Sequence, residues 1–280
     1  MKILISYRGI PQSPGWATGD LVANAFLSLG HEVACYGNYY GTNKYIEHRP
    51  NGLKEDWDLF LFLECGDGEP TYNELKYVRA RKRASWFFDS QLYIKKWQSI
   101  VHYFNFDVNF IANPNLIHDV PNGHFLPYAA DNLYIRNNTN KVFDFLIIGS
   151  DRPNRRDLYN QLKAACSGAV VGYKTGIFRQ EYIDIISSSK YVVNDIAGGG
   201  LGLLPIRVFE TLASGSELIT PHNDGCSNLG LPCFEYKSID DLITICIGLV
   251  RNPIFKNDQK IILNSHMYKN RCEKILECLK

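Results

Sequence analysis

Short apolar runs, recurring about one helix length apart and edged by glycines, constrain this chain more than any other feature of it. KILIS (2–6) is a compact strand, and beyond a Gly- and Pro-bearing loop Leu21, Val22, Ala25, Phe26 and Leu29 share one face of a helix that Gly30 can stop. HEVACYG (31–37) is the next strand. Strand, helix, glycine and strand make a βαβ unit, which demands a parallel sheet and a right-handed crossover. DLFLFLEC (58–65) is almost wholly apolar, as a strand covered on both faces must be. A charged helix is expected over 72–83, then strands at ASWFF (84–88) and DVNFIA (107–112).

The second half repeats the theme. VFDFLIIG (142–149), AVVGY (169–173), YVVND (191–195) and ELIT (217–220) read as strands, with helices over 155–166, 178–190 and from about Pro205 to Gly215. The last forty residues are mostly helical. Between the halves, DNLYIRNNTNK (131–141) is polar and aperiodic, as an interdomain linker is. The expected fold class is α/β, with two Rossmann-like doubly wound domains facing each other across a cleft. The domains are set at 1–134 and 141–264, and a final helix over 265–280 crosses back to the first. In such sheets ligands sit beyond the C-terminal strand ends.

Charge argues against one class of partner without excluding a local basic patch. Thirty Lys and Arg nearly cancel twenty-nine Asp and Glu, whereas a protein held to nucleic acid by phosphate neutralisation is strongly basic. The opening apolar run stops at Arg8, Gly9 and Pro11, too short for a signal core, and no run reaches the ~20 apolar residues of a membrane span. Eight cysteines without a C-x-x-C pair suit idle thiols in a reducing cytoplasm better than a metal site.

The most chemically suggestive segment is RVFETLASG (207–215), which opens a helix ahead of the ELIT strand. Arg207 and Glu210 lie three apart and share a face. There an acid can accept hydrogen bonds from ribose hydroxyls, while an arginine and the N–H groups of a helix start can meet a diphosphate. The plainer reading is an exposed ion pair on an amphipathic helix. Glycines 198–202 are either a backbone nest for phosphate, with Gly199 and Gly200 at its centre, or a simple connector.

Several motifs in order weight the first reading. FLIIGSDRPNRRDLYNQL (145–162), VVGY (170–173), YVVND (191–195), the R-x-F-E-x-x-A-x-G run of Arg207, Phe209, Glu210, Ala213 and Gly215, and an H-x-Y-x-x-R run of His266, Tyr268 and Arg271 follow one another. Ahead of them stands L-P-x-A-x-D at Leu126, Pro127, Ala129 and Asp131. In this order, over roughly 124–276, the chain resembles the CgeB-like glycosyltransferases, relatives of the large retaining GT-B group. The resemblance implies transfer of a sugar from a nucleotide-diphosphate sugar, a UDP-sugar favoured, to an acceptor hydroxyl, in a cytoplasmic protein with no cofactor. It implies a donor site of Gly149, Arg155, Gly199, Gly200, Arg207, Phe209 and Glu210, with Glu210 on the ribose and Arg207 or Arg155 near the diphosphate. It also implies catalysis without a bound metal, and no D-x-D metal motif is expected. One departure is Gly202, which stands where retaining relatives often carry a second glutamate, so retention does not follow.

The acceptor side is less explicit. Asp20, at the start of the first helix, either caps it or serves as catalytic base, and Asp89, ending SWFFD, is the other candidate. Glu64, Asp67 and Glu69 also end a strand, where turn carboxylates are common. The acceptor is open: glycan, small molecule, protein or modified DNA base. A phage-type DNA glycosyltransferase is one alternative, since KYVRARKR (76–83) is a basic stripe that either tracks a phosphate backbone or is a solvated helix face. A non-catalytic nucleotide- or sugar-binding protein on the same fold is the other.

Overall fold

The computed structural model describes residues 1–7, 18–36, 47–48, 54–64, 75–88, 90–136, 138, 140–195 and 203–280. Asp67, Glu69, Asp89, Gly199, Gly200 and Gly202 lie outside the described residues. The chain forms two compact units, Met1–Tyr128 with Tyr268–Lys280, and Ala129–Met267.

The first unit runs β1 (Lys2–Ser6), α1 (Thr18–Ser28), β2 (Glu32–Tyr36), β3 (Glu47–His48), β4 (Asp56–Leu63), β5 (Arg79–Phe87), α2 (Ser90–Phe104), β6 (Val108–Ile111) and β7 (Gly123–Phe125). Its seven strands are ordered β3-β2-β1-β4-β5-β6-β7, and every pairing is parallel. Gly30 follows α1 with φ +82°, the left-handed backbone that ends a helix cheaply only at glycine. Ile3, Leu4, Ile5 and the run Leu59–Leu63 are buried, so β1 and β4 are covered on both faces, as continuous apolar strands require.

The second unit holds β8 (Phe143–Ile148), α3 (Pro153–Ala165), β9 (Val171–Lys174), α4 (Arg179–Ser187), β10 (Ser189–Val193), α5 (Ile206–Ala213), β11 (Glu217–Pro221), α6 (Asp224–Asn228), β12 (Phe234–Tyr236), α7 (Ile239–Arg251) and α8 (Gln259–Ser265). Its parallel sheet is ordered β12-β11-β10-β8-β9. Period-two alternation divides the core. Phe145 and Ile147 pack with Leu158, Leu162, Leu242 and Leu249 on one face, while Leu146 and Ile148 pack with Ile186 and Val192 on the other. Burying each such side chain contributes about 1.5–3 kcal/mol.

The chain then returns to the first unit as α9 (Tyr268–Cys278), which packs on α1 with Cys272 and Ile275 wholly buried. The buried Arg271 guanidinium donates to the carbonyls of Pro127 (3.0 Å) and Tyr128 (3.1 Å). The Leu-Pro and His-x-Tyr motifs therefore meet through hydrogen bonds from a side chain to backbone carbonyls, and Arg271 has a structural role here. Burial lowers its pKa to about 10.

Three expectations need correction. The charged helix over 72–83 is instead, from Arg79 onward, the first half of β5, paired in register with β4 from Asp56↔Arg79 to Leu63↔Trp86. Arg79 and Arg81 ion-pair with Asp56 (3.1 Å) and Asp58 (3.7 Å), and Arg83 lies over the Phe60 ring. Cross-strand charge pairing overrides the helix propensity of Arg and Lys, and the basic stripe faces carboxylates of its own sheet. Those carboxylates also correct the second expectation, because Asp56-Trp57-Asp58 is a D-x-D triplet. It sits at the start of β4 and serves that ion pairing. Third, 131–141 belongs to the second unit, where Asp131 caps a short 3-10 turn (Asn132–Tyr134) and Tyr134 is buried. The helix α2 was not anticipated.

Among the described residues, no helix is long and apolar enough to cross a membrane.

Candidate functional site

In the second unit the strands run the same way, so their C-terminal ends share one edge of the sheet. At that edge β8 gives way to Gly149, with φ +146°. A Cβ on residue 149 would stand 2.5 Å from Arg155 Nη1 and 2.7 Å from Arg207 Nη2. Arg155 lies in the first turn of α3 and Arg207 in that of α5, so two helix starts distant in sequence bring two guanidinium groups side by side over a glycine. Only a residue without a side chain leaves that space.

The two arginines are held differently. Arg155 is buried, its Nη1 donates to the Ser150 carbonyl (2.7 Å) and hydroxyl (3.0 Å), and its Nε stands 2.9 Å from Asp195 without hydrogen-bond alignment. Arg207 keeps a buried Nε with no hydrogen-bond partner among the described residues. A buried, unengaged guanidinium N–H carries a desolvation penalty that an anion would remove. Like charges set side by side have the same requirement. Asn194, at the end of β10, is 1% exposed, and neither polar atom of its amide has a hydrogen-bond partner among the described residues. Arg156 is committed elsewhere, donating twice to Asp151 at 2.8 and 2.6 Å. Those bonds, with one from the Tyr173 hydroxyl, hold the Asp151 carboxyl down at about 2.

Helix ends add to the positive potential. Among the described residues no side chain caps α3 or α5, whereas Asn223, Ser238 and Asp258 cap α6, α7 and α8. Uncapped N-termini keep their partial positive charge open toward the strand-end edge.

Glu210 sits one turn into α5 and is 5% exposed. The Tyr182 hydroxyl donates to its Oε2 at 2.6 Å, and the Tyr134 hydroxyl bonds the same carboxylate. Burial raises the Glu210 carboxyl pKa, while the two tyrosines and Arg207 pull it down. Burial and Glu210 push the Tyr182 hydroxyl well above its usual range, so it stays protonated and donates. An ionised carboxylate has about four lone-pair sites, so two hydroxyl donors leave room for a diol. Phe209 points away into the core, wholly buried and 5.9 Å ring to ring from His266.

The structure thus gathers Gly149, Arg155, Arg207 and Glu210, and adds Asn194, Asp195, Tyr134 and Tyr182, none of which the sequence singled out as a site residue. For Asn194 the available sequence signal was the strand ending in Asn, YVVND (191–195).

In the first unit, Asp20 lies in the first turn of α1, 2% exposed, and accepts a hydrogen bond from the Tyr7 hydroxyl. Gly19 leaves room for the Tyr7 ring, which a Cβ would meet at 2.1 Å. Glu64 braces neighbouring backbone and indole, accepting from Phe88 N (2.6 Å) and Trp97 Nε1 (3.1 Å).

No protein-family model and no curated protein matches the chain. Solved structures do. HepE from Anabaena, solved with UDP and glucose, superposes with a TM-score of 0.70 at 12% identity, covering 100% of this chain and 99% of that one. T4 phage BGT, solved with its UDP-glucose substrate, gives 0.64 at 12% identity over 100% of both chains. AviGT4, a glycosyltransferase involved in avilamycin A biosynthesis, gives 0.61 at 12% identity, covering 99% of this chain and 96% of that one. The chain has the two-sheet α/β GT-B fold of these structures.

Proposed function

We propose that this chain is a glycosyltransferase whose second unit binds a nucleotide-diphosphate sugar, a UDP-sugar favoured, and passes the sugar to an acceptor hydroxyl. The observation that carries this reading is the convergence of Arg155 and Arg207 on Gly149, with Arg207 Nε unengaged by any described residue. Structures with the same fold that were solved with UDP or UDP-glucose support the choice of donor.

In the proposed reaction the acceptor oxygen forms a bond to the anomeric carbon as the bond from that carbon to the diphosphate breaks. The electron pair leaves with the nucleoside diphosphate, and the acceptor proton passes to a base. Charge grows on the diphosphate, so donors already fixed in place lower the barrier most. Arg155, Arg207 and the uncapped starts of α3 and α5 are placed for that role, and Glu210 is assigned to the ribose hydroxyls. Differential scanning with UDP-, GDP- and TDP-sugars tests donor choice, because a ligand that binds only the folded state raises Tm by mass action. The reading is wrong if none of them shifts Tm.

Glu210→Ala is expected to weaken donor binding by about 1.5–3 kcal/mol, the loss of hydrogen bonds to a charged acceptor. Glu210→Gln keeps the shape and an acceptor for the tyrosines, which separates ribose contact from packing. Calorimetry giving wild-type donor affinity in both variants removes Glu210 from the site.

Metal independence is part of the proposal. Turnover in excess EDTA, measured well below the Tm, is expected to equal turnover with added Mg2+ or Mn2+. Activity lost to the chelator and restored only by Mn2+ overturns it.

For the base, the proposal keeps Asp20 and Asp89. Asp20→Asn is expected to abolish the acidic limb of the pH–rate profile if Asp20 takes the proton, since the limb reports the base's ionisation. A lowered Tm with an unchanged profile assigns Asp20 to anchoring Tyr7 instead.

A further inference from the structure

The connection from β11 to β12 carries a second cluster, separate from the arginine site. Cys226 lies in α6, Cys233 immediately precedes β12, and Glu235 is the middle residue of that strand. The two thiol sulfurs and a carboxylate oxygen of Glu235 all lie within 4.8 Å of one another. Both cysteines are free, Cys226 is wholly buried, and the two thiols are in hydrogen-bond contact.

The backbone fixes this convergence. Asn223 caps α6, Leu231 N bonds the Cys226 carbonyl at 2.9 Å, and Gly230 turns the chain with φ +63°. His222 Nδ1 is 2.9 Å from Glu235 Oε2, Asn223 N donates to Glu235 Oε1 at 3.3 Å, and His222 Nε2 is 3.8 Å from Asp224. Two sulfurs and one carboxylate oxygen thus lie together, and an imidazole contacts the same carboxylate.

We propose that Cys226, Cys233 and Glu235 form a site for a thiophilic divalent cation, Zn2+, with His222 positioning Glu235. Zinc takes sulfur at ~2.3 Å and carboxylate oxygen at ~2.0–2.2 Å in a tetrahedron, which sets ligand atoms roughly 3.5–3.8 Å apart. The present spacing reaches that with side-chain adjustments of about an ångström. Thiolates select zinc over the hard cations magnesium and calcium. Binding releases the thiol protons to solvent and leaves the fourth position to water. The lone C-x6-C-x-E spacing here lacks a C-x-x-C signature, so it gave no metal signal in the sequence. The site would tie α6 to the edge strand β12. It does not depend on the donor reading.

The test uses the full chain, reduced and stripped by chelator, then titrated with Zn2+ or Co2+. One equivalent of metal per chain, a thiolate-to-cobalt charge-transfer band and a Tm raised by Zn2+ are expected. Cys233→Ser should remove the band. Glu235→Gln should keep it at lower affinity, and His222→Ala should weaken binding about 10- to 100-fold, as loss of an outer partner does. Circular dichroism shows whether each variant folds, and the wild-type titration decides the matter if one does not. Reduced, folded wild-type protein that takes up no metal overturns the site. So does a Cys226–Cys233 disulfide forming in air in a chain whose reduced form is indifferent to Zn2+. UDP binding, read in the same samples, reports the donor site separately.

Discussion

Arg207→Ala is expected to lower turnover about a hundredfold, the usual effect of removing one fixed donor from a transition-state charge, with the donor's Michaelis constant little changed. Arg207 stands at the start of α5 beside Arg155, and its buried Nε has no hydrogen-bond partner among the described residues. Its value lies in meeting charge that grows as the diphosphate leaves, so the loss should fall on turnover. Arg207→Lys keeps the charge but loses the planar fork, and should recover only part of the rate. Arg155→Ala should act on the fold as well, because it strands the buried Asp195 carboxylate. Arg156 is bonded twice to Asp151, so it is poorly placed to stand in. Full turnover in both alanine variants, in steady-state assays on folded protein, would place the diphosphate elsewhere.

The second large effect is expected at Gly149. Gly149→Ala adds one carbon where Arg155 Nη1 and Arg207 Nη2 already stand, at 2.5 and 2.7 Å. Side-chain ends can give way, but here the ends that give way are the two anion-binding groups. The residue must also hold φ +146°, a conformation costing a substituted residue about 1–3 kcal/mol. Displacing groups at a reacting centre by about 1 Å can cost a hundredfold in rate, so a rate loss of that order is expected, together with a lower Tm. Gly168→Ala is the control, since Gly168 has φ +92° but nothing within 4 Å of an added Cβ. It should lower Tm and leave turnover intact. Equal turnover losses in the two variants would mean that backbone strain, not arginine displacement, is responsible.

The buried parallel strands were legible because a strand covered on both faces has no polar positions to blur it. β1 was placed at its observed bounds, and β8 and β10 within about two residues, the usual margin for element ends. β5 was misread because its charged half is satisfied by a neighbouring strand's carboxylates, information no local window contains. The helix α2 had a usable signal, with Ile94, Trp97, Ile100, Val101 and Phe104 at helical spacing and packed into the first core. At the candidate site, Gly149, Arg155, Arg207 and Glu210 were singled out through the order of motifs, and the structure brings them together. Tyr134 and Tyr182 were not, because a hydroxyl that serves a carboxylate 28 or more residues away leaves no pattern near itself.

The return of α9 has a consequence for how the chain comes to be folded. The second unit is continuous, Ala129–Met267, and all of its strand partners are available once Met267 has been made. The first unit is not, because Cys272 and Ile275 fill part of its interior and the Cys272 thiol reaches the Val22 carbonyl at 3.7 Å. During synthesis the α1 surface stays uncovered until the whole second unit has left the ribosome. Closing so long a loop costs little in equilibrium free energy, since the entropy grows only with the logarithm of its length. It costs time, because contacts distant in sequence form late. The half that begins first therefore finishes last, and in that interval its exposed apolar face is the one that invites aggregation.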